Sequence, residues 1–184
     1  MGPRAKLLAL AALFGLPIAA SIVAYNVVEP GKTSNFGELL LPPASVSAQS
    51  FARPGGGTFA FPQLAGRWVL VASDSGACPP ACREKLVTLR QVRLALGRNA
   101  ARVERVFVVD DLQPPEAGTA SEFAGMIVAL TPRGLALPTG AANDRAHIYL
   151  VDPRGNVMMR WPAGADQKRM LGDLQRLLKA SQIG

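Results

Sequence analysis

The chain has few of the residues that build disulfide scaffolds or metal clusters. Its 184 residues include two cysteines and one histidine. Two cysteines cannot form a multi-disulfide scaffold, and with a single histidine they argue against a four-ligand structural zinc site. Covalent haem attachment needs Cys-x-x-Cys-His, whereas three residues separate Cys78 from Cys82 and Arg83 follows. The pair therefore remains a candidate for redox, metal-binding or structural use.

Aromatic residues are also scarce, at 6% of the chain, although the formal net charge is +7. A basic excess can indicate a nucleic-acid partner, but the arginines are scattered and no aromatics are interleaved with them. We therefore predict no nucleic-acid partner and favour a basic surface near anionic lipid. The 49% hydrophobic content is ample for a packed core and excludes disorder throughout.

No charge occurs between Leu7 and Val28, a run of 22 residues. Such a run can cross the ~30 Å hydrocarbon core of a bilayer. Because Arg4 and Lys6 precede it, the positive-inside rule places the N-terminus in the cytoplasm. We predict a single-pass anchor over residues 1–29 in a bacterial inner membrane, with the remainder in the periplasm. The alternative is a signal peptide cleaved near Ala19-Ala20-Ser21, although its apolar region is usually only about 7–15 residues long.

The next segment, residues 30–57, is rich in proline, glycine and serine. It contains Pro42-Pro43 and Pro54-Gly55-Gly56-Gly57. This composition predicts a flexible linker, and we expect the folded domain to span residues 58–184.

Residues 58–184 alternate strand and helix patterns, which predicts an α/β fold. The predicted elements are a strand at 67–73, a helix at 81–96, a strand at 103–110, a short helix at 121–130, a hairpin of 147–151 with 156–161, and an amphipathic helix through Met170 and Leu178. The order βαβ, helix, ββα, with a thiol pair opening the first helix, is the thioredoxin arrangement. The fold expected for the chain is therefore thioredoxin-like, preceded by a single transmembrane helix.

The segment Cys78-Pro79-Pro80-Ala81-Cys82 lies between the first strand and the first helix. Each proline disfavours helical backbone in the residue before it, and Pro80 suits the first helical turn. Cys78 should then lie just outside the helix, where the helix dipole and nearby Arg83 favour its thiolate. Cys82 would be the buried resolving thiol. Two close thiolates also suit Cu(I). The structural alternative is an inert disulfide, although so small a loop constrains the unfolded chain little.

The chain resembles the Sco/SenC family over roughly residues 59–178. The resemblance is carried by the Cys-x-x-x-Cys spacing after a strand that begins near Gly66-Arg67-Trp68. It also includes the strand 102–108 and the segment Ile148-Tyr-Leu-Val-Asp-Pro-Arg-Gly155. It implies a membrane-anchored thioredoxin-like protein that helps load copper into cytochrome c oxidase.

The chain departs from the family pattern at three places. Arg83 stands where the family has proline after the second cysteine. Asp144 occupies the position of the copper-binding histidine, and His147 follows three residues later, an odd offset that points to the other face of a strand. The family's Asp-rich segment is reduced to Asp110-Asp111.

Three functions follow from the cysteine pair and the resemblance. The first is a thiol–disulfide assembly factor, with Cys78 and Cys82 as catalytic thiols, acting on a respiratory oxidase subunit or another periplasmic thiol protein. The second is a copper chaperone with Cys78, Cys82 and His147 as candidate ligands. The third is a non-catalytic membrane accessory protein with a structural disulfide.

Overall fold

The computed structural model describes residues 2–27, 35–111, 113–115, 117–131 and 144–181. The chain divides into two units, Met1–Ser34 and Asn35–Gly184. The first unit contains helix α1, Pro3–Val27, with Pro17 inside it. Its stretch Pro3–Ala24 is long and apolar enough to cross a membrane, as the uncharged run predicts.

The described residues of the second unit form a sheet of eight strands with three α-helices. In chain order its elements are β1 (Glu38–Ser45), β2 (Ser50–Ala52), β3 (Thr58–Ala60), β4 (Trp68–Asp74), α2 (Pro80–Ala95), β5 (Val103–Val109), α3 (Thr119–Glu122), β6 (Ile127–Leu130), β7 (His147–Val151), β8 (Asn156–Pro162) and α4 (Gln167–Ala180). Two 3₁₀ helices, Phe61–Leu64 and Gly97–Arg102, join them.

The strand order β1-β8-β7-β4-β5-β6-β2-β3 places the strand before the thiol pair in the centre of the sheet. β4 runs parallel to β5 and antiparallel to β7. All seven residues of β4 are buried, which explains its continuous apolar sequence, because a strand covered on both faces has no polar side. The thioredoxin-like α/β fold predicted for this part of the chain is confirmed.

Side chains alternate between the two faces of the sheet, and β7 shows the division. Ile148 and Leu150 belong to the cluster that contains the buried faces of α2 and α4. Tyr149 and Val151 belong to the opposite cluster. That opposite cluster includes three phenylalanine rings with centroids 5.4–6.0 Å apart: Phe51, Phe59 and Phe61. Every member of both clusters lies within Asn35–Gly184, so this unit has its own hydrophobic core.

The structure differs from the predicted linker over residues 30–57. β1 and β2 lie within it, and Leu40, Val46 and Phe51 are buried. The prolines that suggested a linker, Pro42-Pro43, lie where β1, an edge strand, loses its regular pairing with β8. Proline is tolerated at such edges because no ladder hydrogen bond is lost there. The folded unit therefore begins at Asn35 rather than at residue 58.

The predicted helix over 121–130 is wrong in its second half. α3 ends at Glu122, and Ile127–Leu130 forms β6, which pairs in parallel with β5. Gly125 has a φ of +77°, a left-handed conformation that a helix cannot contain. The β-branched Ile127 and Val128 after it then favour a strand.

The start of the folded unit is fixed to α4 by one buried carboxylate, Asp173. It accepts hydrogen bonds from the backbone N–H groups of Phe36 (3.1 Å) and Gly37 (2.8 Å) and from the indole of Trp161 (3.0 Å). Arg176 pairs with the same carboxylate. Burial alone would raise the pKa of Asp173, but these donors outweigh it and hold the pKa below its ordinary value.

Replacing Asp173 by asparagine should destabilise the domain in a pH-dependent way. A carboxyl with a depressed folded pKa stabilises the fold fully above its unfolded pKa of about 4 and loses this contribution as pH falls through the folded value. Asp173→Asn should therefore cost about 2–3 kcal/mol at pH 7 and progressively less in acid. Urea unfolding from pH 7 to pH 2 measures this, with the exposed Glu84→Gln as control. A cost that stays constant over the whole pH range would contradict the assignment.

Candidate functional site

The two cysteines lie where central strand β4 gives way to helix α2. They form a disulfide, with Cα atoms 5.1 Å apart. Pro79 is extended, with a ψ of 169°, and Pro80 is the first residue of α2. Cys78 therefore lies just outside the helix and Cys82 in its first turn, which is the geometry expected from the two prolines. Cys78 has a φ of +40°, a left-handed conformation that is costly for a residue other than glycine.

The two sulfurs differ in their access to solvent. Cys82 is 0% exposed and Cys78 is 7% exposed, and both pack in the cluster that α2 covers. A reagent from solvent therefore meets Cys78 first. Cys78 also lies at the amino end of α2, where the helix dipole stabilises a thiolate. The arrangement suits Cys78 as the attacking thiol and Cys82 as the resolving thiol.

A buried ion pair joins β4 to α2 close to the cysteines. Nζ of Lys85 lies 2.6 Å from a carboxylate oxygen of Asp74, and both side chains are buried. Lys85 also donates to the backbone carbonyl oxygens of Ser73 and Arg145, at 2.8 Å each. All three protons of the ammonium group therefore have acceptors, which a buried charge requires. Lys85 follows Cys82 by three positions, so the two side chains lie on the same face of α2.

A second carboxylate, Asp110, lies at the end of β5 beside the ion pair. Arg145 donates to Asp110, with its Nε 3.1 Å from one oxygen, and the hydroxyl of Ser73 donates at 2.9 Å. The hydrogen bond with Asp110 is the main cause that raises the pKa of Arg145 above its ordinary value. The ends of β4 and β5 are thereby joined to the residues just before β7.

Asp111, the next residue, holds the loop that carries Cys78. Its carboxylate accepts the N–H groups of Gly76 and Gln113, each at 3.1 Å. A hydrogen bond from the side chain of Ser75 is the main cause that lowers the pKa of Asp111, and the bond from Gly76 adds to it. A Cβ on Gly76 would lie 2.1 Å from the carbonyl oxygen of Gln113, so only glycine fits there. The Cys78 loop therefore rests directly on the loop after β5.

The sequence analysis missed this charged network. Lysine and arginine usually lie on helix surfaces, and nothing in a local pattern shows that residues 74, 85, 110 and 145 meet. The available signal was Lys85 itself, which lies between Cys82 and Leu89 on the apolar stripe of α2, next to Leu86.

The structure does not place His147 with the cysteines. His147 begins β7 and shares the side of Tyr149 and Val151, opposite the cluster that contains Cys78 and Cys82. Its Nδ1 lies 2.7 Å from Asp144, and Tyr149 donates to the same carboxylate. Burial, followed by the neighbouring Asp144, raises the pKa of Tyr149 to about 12.

No group of three or more histidine, cysteine, aspartate or glutamate side chains that could hold a metal occurs among the described residues.

A groove of about 540 Å³ lies beside the first turns of α2. It is lined by residues of α2 and by residues around the start of α4: Pro80, Arg83, Glu84, Val87, Thr88, Ala163, Gly164, Ala165 and Gln167. Val87 and Ala165 supply apolar surface, and Arg83 and Glu84 supply charges. Because Pro80 is part of the cysteine motif, the groove begins at the first residue of α2.

The sheet is mixed, with the parallel strands β4 and β5 at its centre, and the helix between them, α2, begins at a disulfide. This combination is typical of a thioredoxin-like domain. The family model described as "transmembrane-like, thioredoxin-like, C-terminal domain" matches residues 68–181. The chain belongs to this family. No curated protein matches it significantly.

Solved Sco structures share the fold. Apo Sco1 from Thermus thermophilus has a TM-score of 0.60 at 20% identity, over 80% of this chain and 99% of that one. Yeast Sco1 with copper bound has a TM-score of 0.58 at 17% identity, over 82% and 96%. BsSco, described as a Sco-family cytochrome c oxidase assembly protein with a disulfide switch, has a TM-score of 0.56 at 12% identity, over 76% and 96%. At these identities the chain is a divergent protein with the Sco fold, as its sequence resemblance predicts.

Proposed function

We propose that the chain is a membrane-anchored thiol–disulfide factor that acts on the copper-site cysteines of a respiratory oxidase partner. The observation that carries this proposal is the position of the Cys78–Cys82 disulfide at the amino end of α2, with Cys78 slightly exposed and Cys82 fully buried. The similarity to BsSco, which is described as a Sco-family oxidase assembly protein with a disulfide switch, supports the choice of partner.

The reaction begins with the reduced pair. The Cys78 thiolate attacks one sulfur of the partner's disulfide, forming a mixed disulfide and releasing the partner's second thiolate. Cys82 then attacks the Cys78 sulfur, which re-forms the intramolecular disulfide and releases the partner as a dithiol. Two electrons pass from this chain to the partner, so a dithiol reductant has to reduce the Cys78–Cys82 pair before another cycle.

The groove beside the motif is suited to an extended segment of the partner. Its lining includes Pro80, which lies between the two cysteines in the sequence. Arg83, half-exposed at this wall and paired with Glu122, supplies a positive charge near the helix start. That charge further favours a thiolate over a thiol at Cys78.

The proposed location is the periplasmic face of a bacterial inner membrane. Helix α1 is long and apolar enough to span a bilayer. Arg4 and Lys6 before the uncharged run favour a cytoplasmic N-terminus, and the 22-residue length of the run favours an uncleaved anchor over residues 1–29. The folded unit would then be held on the oxidising side of the membrane, where disulfide exchange takes place.

The exchange proposal predicts unequal reactivity of the two thiols. In Cys82→Ser, Cys78 should form a mixed disulfide with a disulfide-containing model peptide at least tenfold faster than Cys82 does in Cys78→Ser, because Cys82 is buried. Mass spectrometry after acid quenching measures both rates. Equal, slow reaction of the two variants would contradict exchange and favour the third function, an accessory protein with a structural disulfide.

A copper chaperone is the second candidate, because yeast Sco1 with copper bound shares the fold. The Cα atoms of Cys78 and Cys82 are 5.1 Å apart. After reduction, the two thiolates are close enough to bind Cu(I), which accepts two soft ligands. Cu(II) prefers additional nitrogen or oxygen ligands, and His147 lies on the other side of β7. The candidate is therefore a Cu(I) carrier with Cys78 and Cys82 as its ligands.

Copper titration of the reduced chain tests this candidate. Cys78→Ser or Cys82→Ser should abolish Cu(I) binding, whereas His147→Ala should leave the affinity within about twofold. Gln175→Ala, at an exposed position of α4 away from the cysteines, serves as the control. A loss of tenfold or more in His147→Ala alone would show that His147 reaches the thiols and would overturn the two-ligand site.

A further inference from the structure

The exposed charges of helix α4 all have the same sign. Lys168, Arg169, Arg176 and Lys179 are exposed, and the helix contains a single carboxylate, Asp173, which is buried. Arg176 keeps about half of its side chain in solvent although it pairs with Asp173. The outer side of α4 is therefore a positive strip that runs along the whole helix.

A shallow depression between α2 and α4 borders this strip. Its lining includes Gln91 and Val92 of α2 with Lys168 and Leu171 of α4. Leu171 is only partly buried. The surface between the two helices thus combines apolar side chains with a lysine, which is a composition found in surfaces that rest on lipid head groups.

The chain reaches the folded unit at this same helix. Phe36, near the first described residue of the unit, lies under the guanidinium of Arg169, which is 3.9 Å from its ring centroid. Asp173 fixes the backbone of Phe36 and Gly37 to α4. Seven residues, 28–34, separate α1 from Asn35 in the sequence. The first described residues of the folded unit therefore pack against the helix that carries the positive strip.

We propose that this basic α4 surface, formed by Lys168, Arg169, Arg176 and Lys179 with Leu171 beside Lys168, binds the anionic phospholipid surface of the membrane. The cations attract lipid phosphates, and Leu171 adds apolar contact with the head-group region. The proposal shares the membrane location with the proposed function but uses neither the cysteines nor α1. An acidic protein would be a different occupant; the charges on α4 are spread along the helix rather than gathered around a pocket, which suits a continuous lipid surface.

The test measures binding of residues 35–184, which contain the whole core, to lipid vesicles. Vesicles of phosphatidylcholine alone are compared with vesicles containing 30 mol% phosphatidylglycerol, at low and at physiological salt. The domain should sediment with the anionic vesicles only, and less so as salt rises. Lys168→Glu/Lys179→Glu should lower the partition coefficient by roughly thirtyfold or more, because each lysine near an anionic surface contributes about fivefold.

The matched control is Arg53→Glu/Arg154→Glu, which makes the same change in net charge at exposed turns of the sheet. It should keep most of the binding. An equal loss of vesicle binding in both double variants would show that binding depends on net charge alone and not on α4. Failure of the wild-type domain to bind anionic vesicles at low salt would also overturn the proposal. Binding of the wild-type domain to polyglutamate but not to anionic vesicles would assign the surface to an acidic protein instead.

Two further variants separate this proposal from the exchange reaction. Cys78→Ser/Cys82→Ser should bind anionic vesicles as the wild type does, and Lys168→Glu/Lys179→Glu should keep the wild-type rate of mixed-disulfide formation. Loss of vesicle binding in the cysteine variant would contradict a surface that is independent of the thiols. Circular dichroism of each variant confirms that it is folded.

Discussion

The buried ion pair between Asp74 and Lys85 is the interaction on which the site depends. It joins the last residue of the central strand to the second turn of α2, and the segment between these two residues contains both cysteines. Loss of one partner would leave the other charge buried, at a cost of about 3–5 kcal/mol. Because Lys85 also binds the carbonyl of Arg145, the same pair fixes the segment that begins β7.

The loop of Cys78 is held from the other side by Asp111. Ser75 and Gly76 are bound to that carboxylate, and Gly76 touches the backbone of Gln113 too closely for any side chain. Cys78 is therefore kept at a fixed place in front of α2, in a backbone conformation that costs energy for a cysteine. The thiol that we propose as the attacking group is therefore held at a fixed position before the first turn of α2.

Sequence patterns predicted the elements that are long or continuously apolar: β4, α2, β5, the β7–β8 hairpin and α4. They failed for β1, β2, β3 and β6, since these strands are short or proline-containing and are stabilised by pairing with other strands. In the sequence, Pro42-Pro43 indicate a linker. Only the pairing of β1 with β8 shows that they belong to a strand. The same limit applies to the site. The cysteines and their different burial followed from two prolines and helix periodicity, whereas Lys85 and Asp110 acquire their roles only through tertiary contacts.

The central claim is that Cys78–Cys82 is an exchanging disulfide and not a structural bridge. The most direct measurement is the reduction potential of this pair in the folded chain, obtained by equilibration with defined thiol–disulfide buffers and alkylation of the free thiols. The account predicts a potential above about −300 mV, within the range of exchanging protein dithiols. A potential well below about −300 mV, together with slow alkylation of both reduced cysteines, would identify the disulfide as structural and contradict the account.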